Sequence, residues 1–310
     1  MRPPIPFVAA FTVAAAMIVP PARAAAQAFT APEGVGSITF AWQHVDNTGH
    51  RGTDGSLVAR GQSVTMSALA ELDYGVTDRF AVTFGLPYVF AKYTGAQPPP
   101  SRLPVDECSC WHSAFQDFSL SARYRFGSDT WAVTPLAAYG QPSHDYPFQG
   151  EAVVGKQLKE ARIGVSAAVK LGGVLQRASL LGTYSYAFVE KALDEIKIDR
   201  SNAFLDFGYA LTSRVYLRGG AILQRTHGGL RAGSISGQPF PLPGELNTPE
   251  RFAQRDRLIR TNYWHLAAGA SFDAGPVDLF ASYTKYVWGH DAHNGRALTV
   301  GTTWYFDLKQ

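Results

Sequence analysis

Two runs of alternation, joined by five residues, constrain this chain more than anything else in it. From Val64 the even positions Val64, Met66, Ala68, Ala70, Leu72 and Tyr74 are apolar, while Thr65, Ser67, Glu71 and Asp73 between them are polar. After Gly75-Val76-Thr77-Asp78-Arg79 the pattern resumes, with Phe80, Val82, Phe84, Leu86, Tyr88 and Phe90 on one face and Ala81, Thr83 and Gly85 on the other. A period of two marks a strand with two unlike faces. An ordinary strand has about 5 to 6 residues, whereas a tilted strand crossing a bilayer needs about 9 to 11, and both runs reach that length. The pair reads as a hairpin from a membrane-spanning wall.

The same alternation recurs to the end of the chain. Its cleanest instance sets Phe118, Leu120, Ala122, Tyr124 and Phe126 against Asp117, Ser119, Ser121, Arg123 and Arg125. Counting such runs predicts twelve strands, with long connections at 46–61, 93–113, 141–158, 190–198, 226–258 and 289–296. The turns between them have about 3 to 5 residues, as the periplasmic turns of outer-membrane barrels do. A soluble barrel would also alternate, with its apolar face inward. Loop asymmetry, strand number and aromatic residues repeated near strand ends favour the membrane form. The expected fold is all-β: a single 12-stranded antiparallel up-and-down transmembrane β-barrel with short periplasmic turns and long extracellular loops, in the bacterial outer membrane. Pro87 and Pro135 each remove a ladder donor, which predicts bulges there. Lys285 falls on the apolar parity and is expected to snorkel to the outer headgroups.

The amino terminus reads as an export signal. Arg2 leads an apolar run over 7–19, and Ala24-Ala25-Ala26 and Ala26-Gln27-Ala28 both suit small-x-small cleavage. This predicts a signal peptide over 1–26 and a barrel over 27–310. Cleavage there removes Arg2 and Arg23 and no acid, taking the formal charge from +3 to +1. With bases scattered over so neutral a chain, nothing argues for nucleic-acid binding. No apolar run reaches 18 residues, so no helix is expected to span a membrane. Only two cysteines among 310 residues exclude a disulfide-stapled scaffold.

Twelve charged residues fall on the inward parity and are candidates to line the lumen: Glu71, Asp73, Asp117, Arg123, Arg125, Glu160, Arg162, Lys170, Arg200, Asp206, Arg218 and Asp278. They can select charge along a polar path, or pair across neighbouring strands and fill the barrel. Both signs are present, so strong ion selectivity is not expected. Cys108-Ser109-Cys110 with His112 is the most metal-like cluster, but it does not amount to four ligands, and a loop disulfide or free thiols compete with it. His290-Asp291-Ala292-His293 would add ligands only if the two loops met. His265 and Ser271 share a face but are six residues apart, about 20 Å along a strand, which excludes them as a catalytic dyad. With no nucleophile elbow, phosphate loop or haem attachment motif, neither enzymatic activity nor a cofactor is expected.

The turn Tyr74-Gly75-Val76-Thr77-Asp78-Arg79-Phe80 recurs as Tyr209-Ala210-Leu211-Thr212-Ser213-Arg214-Val215, with Glu71 and Asp206 at the same offset before the tyrosine. Together with Gly85-Leu86-Pro87-Tyr88 and the run from Gln116 through Phe126, this resembles the outer-membrane family named for the meta pathway of phenol degradation. The layout is shared over most of the chain, the wording only in these segments. Gln116-Asp117 stands where members commonly have Gly-Asp. The resemblance implies a twelve-stranded barrel that passes small, often aromatic or hydrophobic, molecules. The last strand, with Thr299, Gly301, Trp304 and Phe306, is similar to the signal read by the barrel-assembly machinery, although Asp307-Leu308-Lys309-Gln310 follows it.

The expected function is therefore an outer-membrane channel or transporter for passive uptake of small molecules. The alternatives are a structural or surface-contact barrel, or an outer-membrane lipid-modifying enzyme. Outer-membrane lipid and lipopolysaccharide are its expected surroundings. Phe240, Leu242 and Phe252 make the loop at 226–258 the expected constriction.

Overall fold

The computed structural model describes residues 28–58, 61–95, 108–150, 152–231 and 245–309. The expected signal peptide and the loop residues Phe240 and Leu242 lie outside these. Twelve strands form the wall: β1 (Val35–Arg51), β2 (Gly61–Gly75), β3 (Phe80–Gly95), β4 (Asp117–Tyr124), β5 (Trp131–Pro142), β6 (Glu160–Lys170), β7 (Ala178–Val189), β8 (Ile198–Ala210), β9 (Val215–Gly228), β10 (Asn262–Asp273), β11 (Val277–His290) and β12 (Ala292–Asp307). Three short segments, Leu57–Val58, His112–Phe115 and Phe126–Gly127, extend the sheet beside β1, β3 and β5. Each strand pairs antiparallel with its sequence neighbours, and β12 pairs with β1 from Val35↔Asp307 to Arg51↔Ala292, so the sheet closes on itself and has no free edge.

The alternation in the sequence becomes a difference between outside and inside. On β1, Phe40 is 56% exposed on the outer wall while its neighbour Thr39 is 3% exposed inside. Leu120, Ile163, Leu205, Leu266 and Leu298 repeat the outward pattern around the ring. Inside, hydroxyls and amides pair between strands: Thr39 with Thr303 at 2.9 Å, Gln43 donating to Thr299 at 3.1 Å, and Ser166 with Thr183 at 2.9 Å. A soluble barrel has the reverse arrangement. An apolar exterior around a polar interior needs hydrocarbon as its solvent.

The repeated turn is built the same way twice. Between β2 and β3, Thr77 Oγ1 accepts from the backbone N–H of Arg79 and Phe80; between β8 and β9, Thr212 Oγ1 accepts from Arg214 and Val215. A threonine hydroxyl folded onto its own loop closes a short turn without glycine at that position. Gly301 has a different role. A Cβ there would lie 2.5 Å from the Phe280 ring and 2.6 Å from the Phe40 carbonyl, so only glycine lets β12 pass between them.

Pro87 disturbs the ladder as predicted. The pairing of β3 slips by one residue, from Gly85↔Ser119 to Tyr88↔Phe115, and the N–H of Gln116 reaches the Pro87 carbonyl. Pro135 behaves differently. The partner strand breaks at Arg125, but the register resumes unshifted from Arg123↔Leu136 to Phe126↔Val133, because Arg125 gives its N–H to the Arg79 carbonyl instead.

Two outer connections are shorter than the sequence pattern implied. β1 continues to Arg51, and β11 runs to His290, leaving Asp291 alone before β12. Asp291 takes φ 51°, a left-handed conformation that aspartate tolerates, and its carboxylate accepts from Thr53 Oγ1 at 2.8 Å. Polar, non-alternating residues over 46–51 and 292–296 hid these extensions, since strands projecting beyond the membrane need no apolar face.

Candidate functional site

Most of the wall charges are satisfied at the wall. Arg123 pairs with Asp73 at 2.8 Å, and Thr83 sits between them, donating to Asp73 and accepting from Arg123. Arg218 pairs with Asp206 at 2.9 Å, and Glu160 is shared by Arg162, at 2.6 Å, and Arg200. Asp278 accepts from the Tyr305 hydroxyl at 2.8 Å, and Asp117 from that of Tyr146. Glu71 lies on the same inward face, two residues before Asp73. Two of the twelve candidates lie at the periplasmic rim rather than along the lumen. Arg125 turns to the Asp78 carbonyl, because the break in its strand rotates it out of the alternation, and Lys170 ends β6 with its ammonium 5.3 Å over the Phe29 ring.

Segments that are not part of the wall occupy the space between its faces. Residues 143–150 and 152–159, from the connection between β5 and β6, fold inside: Tyr146 and Val154 pack on Val89 and Ala91 of the inner face of β3. The Tyr146 hydroxyl donates to Asp117 and accepts the Gln157 N–H at 2.9 Å. Burial and the Asp117 carboxylate push that hydroxyl well above the ordinary tyrosine range. From the other side come α1 (Pro249–Ala253) and α2 (Arg255–Leu258), with Thr248 capping α1 by accepting the Arg251 N–H. Phe252, Leu246 and Ile259 form one apolar cluster with Val58 and Leu230, and Leu258 joins a second with Leu158, Val189 and Ile198. Arg255 is fully buried, donates to the Phe252 carbonyl at 2.6 Å and lies 4.5 Å over its ring. Arg257 stacks 4.0 Å over Phe148 and so ties the two inserted loops together.

Aromatic rings and histidines line the wall opposite. Tyr263 stacks on His265 at 4.3 Å, and His265 meets the edge of Tyr286 at 5.9 Å. His50 and His293 face each other across the β1–β12 seam at 5.4 Å. Cys108 and Cys110 are joined in a disulfide, so they offer no thiolate to a metal beside His112. Among the described residues no group of three or more metal-ligating side chains comes together, and His290 and His293 take their places in the strand ends. His265 is held between two tyrosine rings, away from Ser271 near the other end of the same strand.

At the periplasmic mouth, residues 28–34 cross from β1 to the opposite wall. The Gly34 N–H reaches the Gly75 carbonyl, Thr30 Oγ1 donates to the Asp78 carbonyl at 2.8 Å, and Glu33 pairs with Lys309 at 3.0 Å. Ala28, the first described residue, is fully buried against Ala132, Ala168 and Leu181 of β5, β6 and β7, with its carbonyl accepting from Thr134. No periodicity or motif in the sequence marks this arm, Tyr146, Lys156 or Arg255. The apolar pair Val153-Val154 inside a loop was the available sign that this loop is buried.

These features define an outer-membrane type β-barrel with both mouths narrowed by inserted segments. Its fold is similar to that of the COG4313 outer membrane channel from Pseudomonas putida F1, with TM-score 0.68 and 15% identity over 91% of this chain and 98% of that one. The translocator domain of the autotransporter NalP from Neisseria meningitidis reaches TM-score 0.49 at 12% identity, covering 90% and 91%. The toluene transporter TodX from Pseudomonas putida reaches 0.41 at 10%, covering 96% and 94%; the last two overlap too loosely to inform this chain. No family model and no curated protein matches the sequence.

Proposed function

We propose that this protein is an outer-membrane channel for passive uptake of small organic molecules. One observation carries the reading: the wall charges pair with one another, and the axis is filled by two loops and the arm over 28–34. Wall side chains alone fill barrels of about 8 strands, whereas twelve strands leave room for inserted segments. Inserted loops are what narrow and select in a channel. The shared fold with a protein described as an outer membrane channel supports the same reading. The ladder of Tyr263, His265 and Tyr286 beside the inserted loops, and the resemblance to the meta-pathway family, support aromatic or hydrophobic cargo.

A second reading, a surface-contact barrel without transport, is favoured by the apolar clusters that seal the outer loops together. Planar bilayers separate the two. The channel reading expects unit conductance from the mature protein, larger after deletion of residues 246–258; no conductance from either form leaves the contact barrel.

The same proposal gives the last strand a role in insertion. Trp304, 55% exposed on the outer wall, and Phe306, with Thr299 and Gly301, would present the signal read by the assembly machinery. Lys285, directly opposite Arg296 on the outward face, would meet lipopolysaccharide headgroups.

A further inference from the structure

Among the described residues, the strand-borne carboxylates of the lumen have hydrogen-bonded partners, with one exception. Asp46, Asp73, Asp117, Glu160, Asp206 and Asp278 are each held by an arginine, an amide or a hydroxyl, whereas Glu71 makes no hydrogen bond or ion pair. It faces inward from β2, partly exposed, two residues before Asp73. Arg123, two rows nearer the periplasm on β4, is held by Asp73 at 2.8 Å and by Thr83 at 2.6 Å. Glu71, Asp73 and Arg123 together leave one negative charge.

Beside Glu71 the wall loses its side chains. Glu71 stands directly opposite Gly85 on β3, Gly85 opposite Ser119 on β4, and Ser119 opposite Gly140 on β5. A Cβ at Gly85 would meet nothing nearer than Ser119 Oγ, at 3.1 Å, and one at Gly140 nothing nearer than the Phe118 carbonyl, at 3.5 Å. Two glycines flanking a serine leave a recess in the inner face. Opposed Cα atoms are about 4.5–5.5 Å apart, so Glu71 forms one rim of the recess, and Ser119 Oγ leans over Gly85 towards it. Ser119 is exposed and makes no hydrogen bond. On the other flank of Glu71 stands Thr39, whose hydroxyl meets that of Thr303 at 2.9 Å. The far rim is Glu160, which faces Gly140 and is held by Arg162 and Arg200. At about 4.8 Å per strand, Glu160 lies roughly 19 Å from Glu71 along the sheet, so its arginines are not partners for Glu71. The recess also lies on the passage. Asp117, the next inward residue beyond Ser119, takes the Tyr146 hydroxyl of the inserted loop, which puts the recess on the periplasmic side of that loop.

We propose that Glu71 and Ser119 form a binding station for a primary ammonium group, and that the cargo of the barrel is a small organic amine. This deepens the channel reading and rests on it. An ammonium brings three N–H donors, and the Glu71 carboxylate with the Ser119 hydroxyl supplies three acceptor oxygens. A calcium ion takes about 6 to 8 oxygens, more than one free carboxylate and one hydroxyl offer. An anion is repelled by Glu71 and by Asp73 beside it.

The test uses benzylammonium chloride and its neutral counterpart benzyl alcohol as probes, at about pH 8, where primary amines are protonated and carboxylates ionised. Calorimetric titration of the mature protein in a non-ionic detergent is expected to show benzylammonium binding at least about tenfold more tightly than benzyl alcohol, a charge-assisted preference. Glu71→Gln should erase the preference at nearly constant shape, and Ser119→Ala should weaken benzylammonium about threefold, the loss of one hydrogen bond. Heat-modifiable gel mobility shows that each barrel is folded. Equal binding of the two probes, binding of neither, an unchanged preference in Glu71→Gln or unchanged affinity in Ser119→Ala overturns the site. The wild-type comparison needs no variant, so a misfolded substitution leaves it decisive. Planar-bilayer conductance of the same preparation reads the channel separately. Benzylammonium preference without conductance keeps the site and removes the channel; conductance without preference does the reverse.

Discussion

The two mouths of this barrel are closed by different means. The extracellular end is filled by two loops that carry their own apolar residues: Phe252 and Leu246 pack in one cluster and Leu258 in another. The periplasmic end is crossed by one arm, held by a few hydrogen bonds and by Ala28 buried against the wall. Buried apolar area gives the outer closure a cohesive core, since each large buried side chain contributes about 1.5–3 kcal/mol. The arm has backbone contacts and one small buried residue. The difference teaches that the outer plug is part of the fold, while the arm is attached to it.

The sharpest way to break that contrast is to remove each closure in turn. Deleting residues 246–258 should raise single-channel conductance severalfold in planar bilayers, and deleting residues 28–32 should raise it less than twofold. The opposite order would mean that the arm is the narrower gate. A point change inside the outer plug comes next. Leu258 is fully buried, so Leu258→Ala should cost roughly 2–4 kcal/mol of local packing. It would show as frequent opening bursts in single-channel records and as earlier loss of the heat-modifiable band.

Raising the pH should also act on the outer end alone. Burial, reinforced by Arg200, brings Lys156 from the ordinary 10.5 down to about 8, while the carboxylate of Glu33 holds the exposed Lys309 of the periplasmic arm above its ordinary range. Lys156 is therefore charged at pH 6.5 and neutral by pH 9.5, among the fixed guanidiniums of Arg200 and Arg257, the carboxylates of Glu160 and Asp256, and His293. The unfolded chain holds a proton on this lysine up to its ordinary value, so unliganded stability rises with pH between about 8 and 10.5. Urea unfolding that is equally easy at pH 8 and pH 10 would show that Lys156 keeps its proton in the fold.

The smallest effects belong to single hydrogen bonds. Thr30→Val in the arm and Thr212→Val in a turn should each cost about 0.5–1.5 kcal/mol in urea unfolding. A larger loss at Thr30 would show that the arm is more deeply integrated than its contacts imply.

The strands were legible because their information is local. Phe118 to Phe126 and Val64 to Tyr74 alternate without reference to any distant residue, and the hydroxyls of Thr77 and Thr212 close matching turns because the two heptapeptides are alike. Where β1 and β11 outrun the membrane, the apolar face ends and the pattern gave no sign that the strand continued. The site was partly legible. Inward parity identified Glu160, Arg200, Asp206 and Arg218, and Phe252 marked a loop that does fold inside. Whether the wall charges would pair or stand free depended on register, which places Asp206 near Arg218 and Thr83 between Asp73 and Arg123.

What the sequence determined by itself was the wall: number of strands, their two faces, the short turns and the exterior suited to lipid. Each follows from a period of two and from residues within a few positions of one another. What only the tertiary structure decided was the contents of the wall. Tyr146 meets Asp117 twenty-nine positions away, Ala28 meets Thr134 across 106, and Arg200 reaches Glu160 across 40. Closing the barrel brings those residues together, and no periodicity along the chain records which of them will meet.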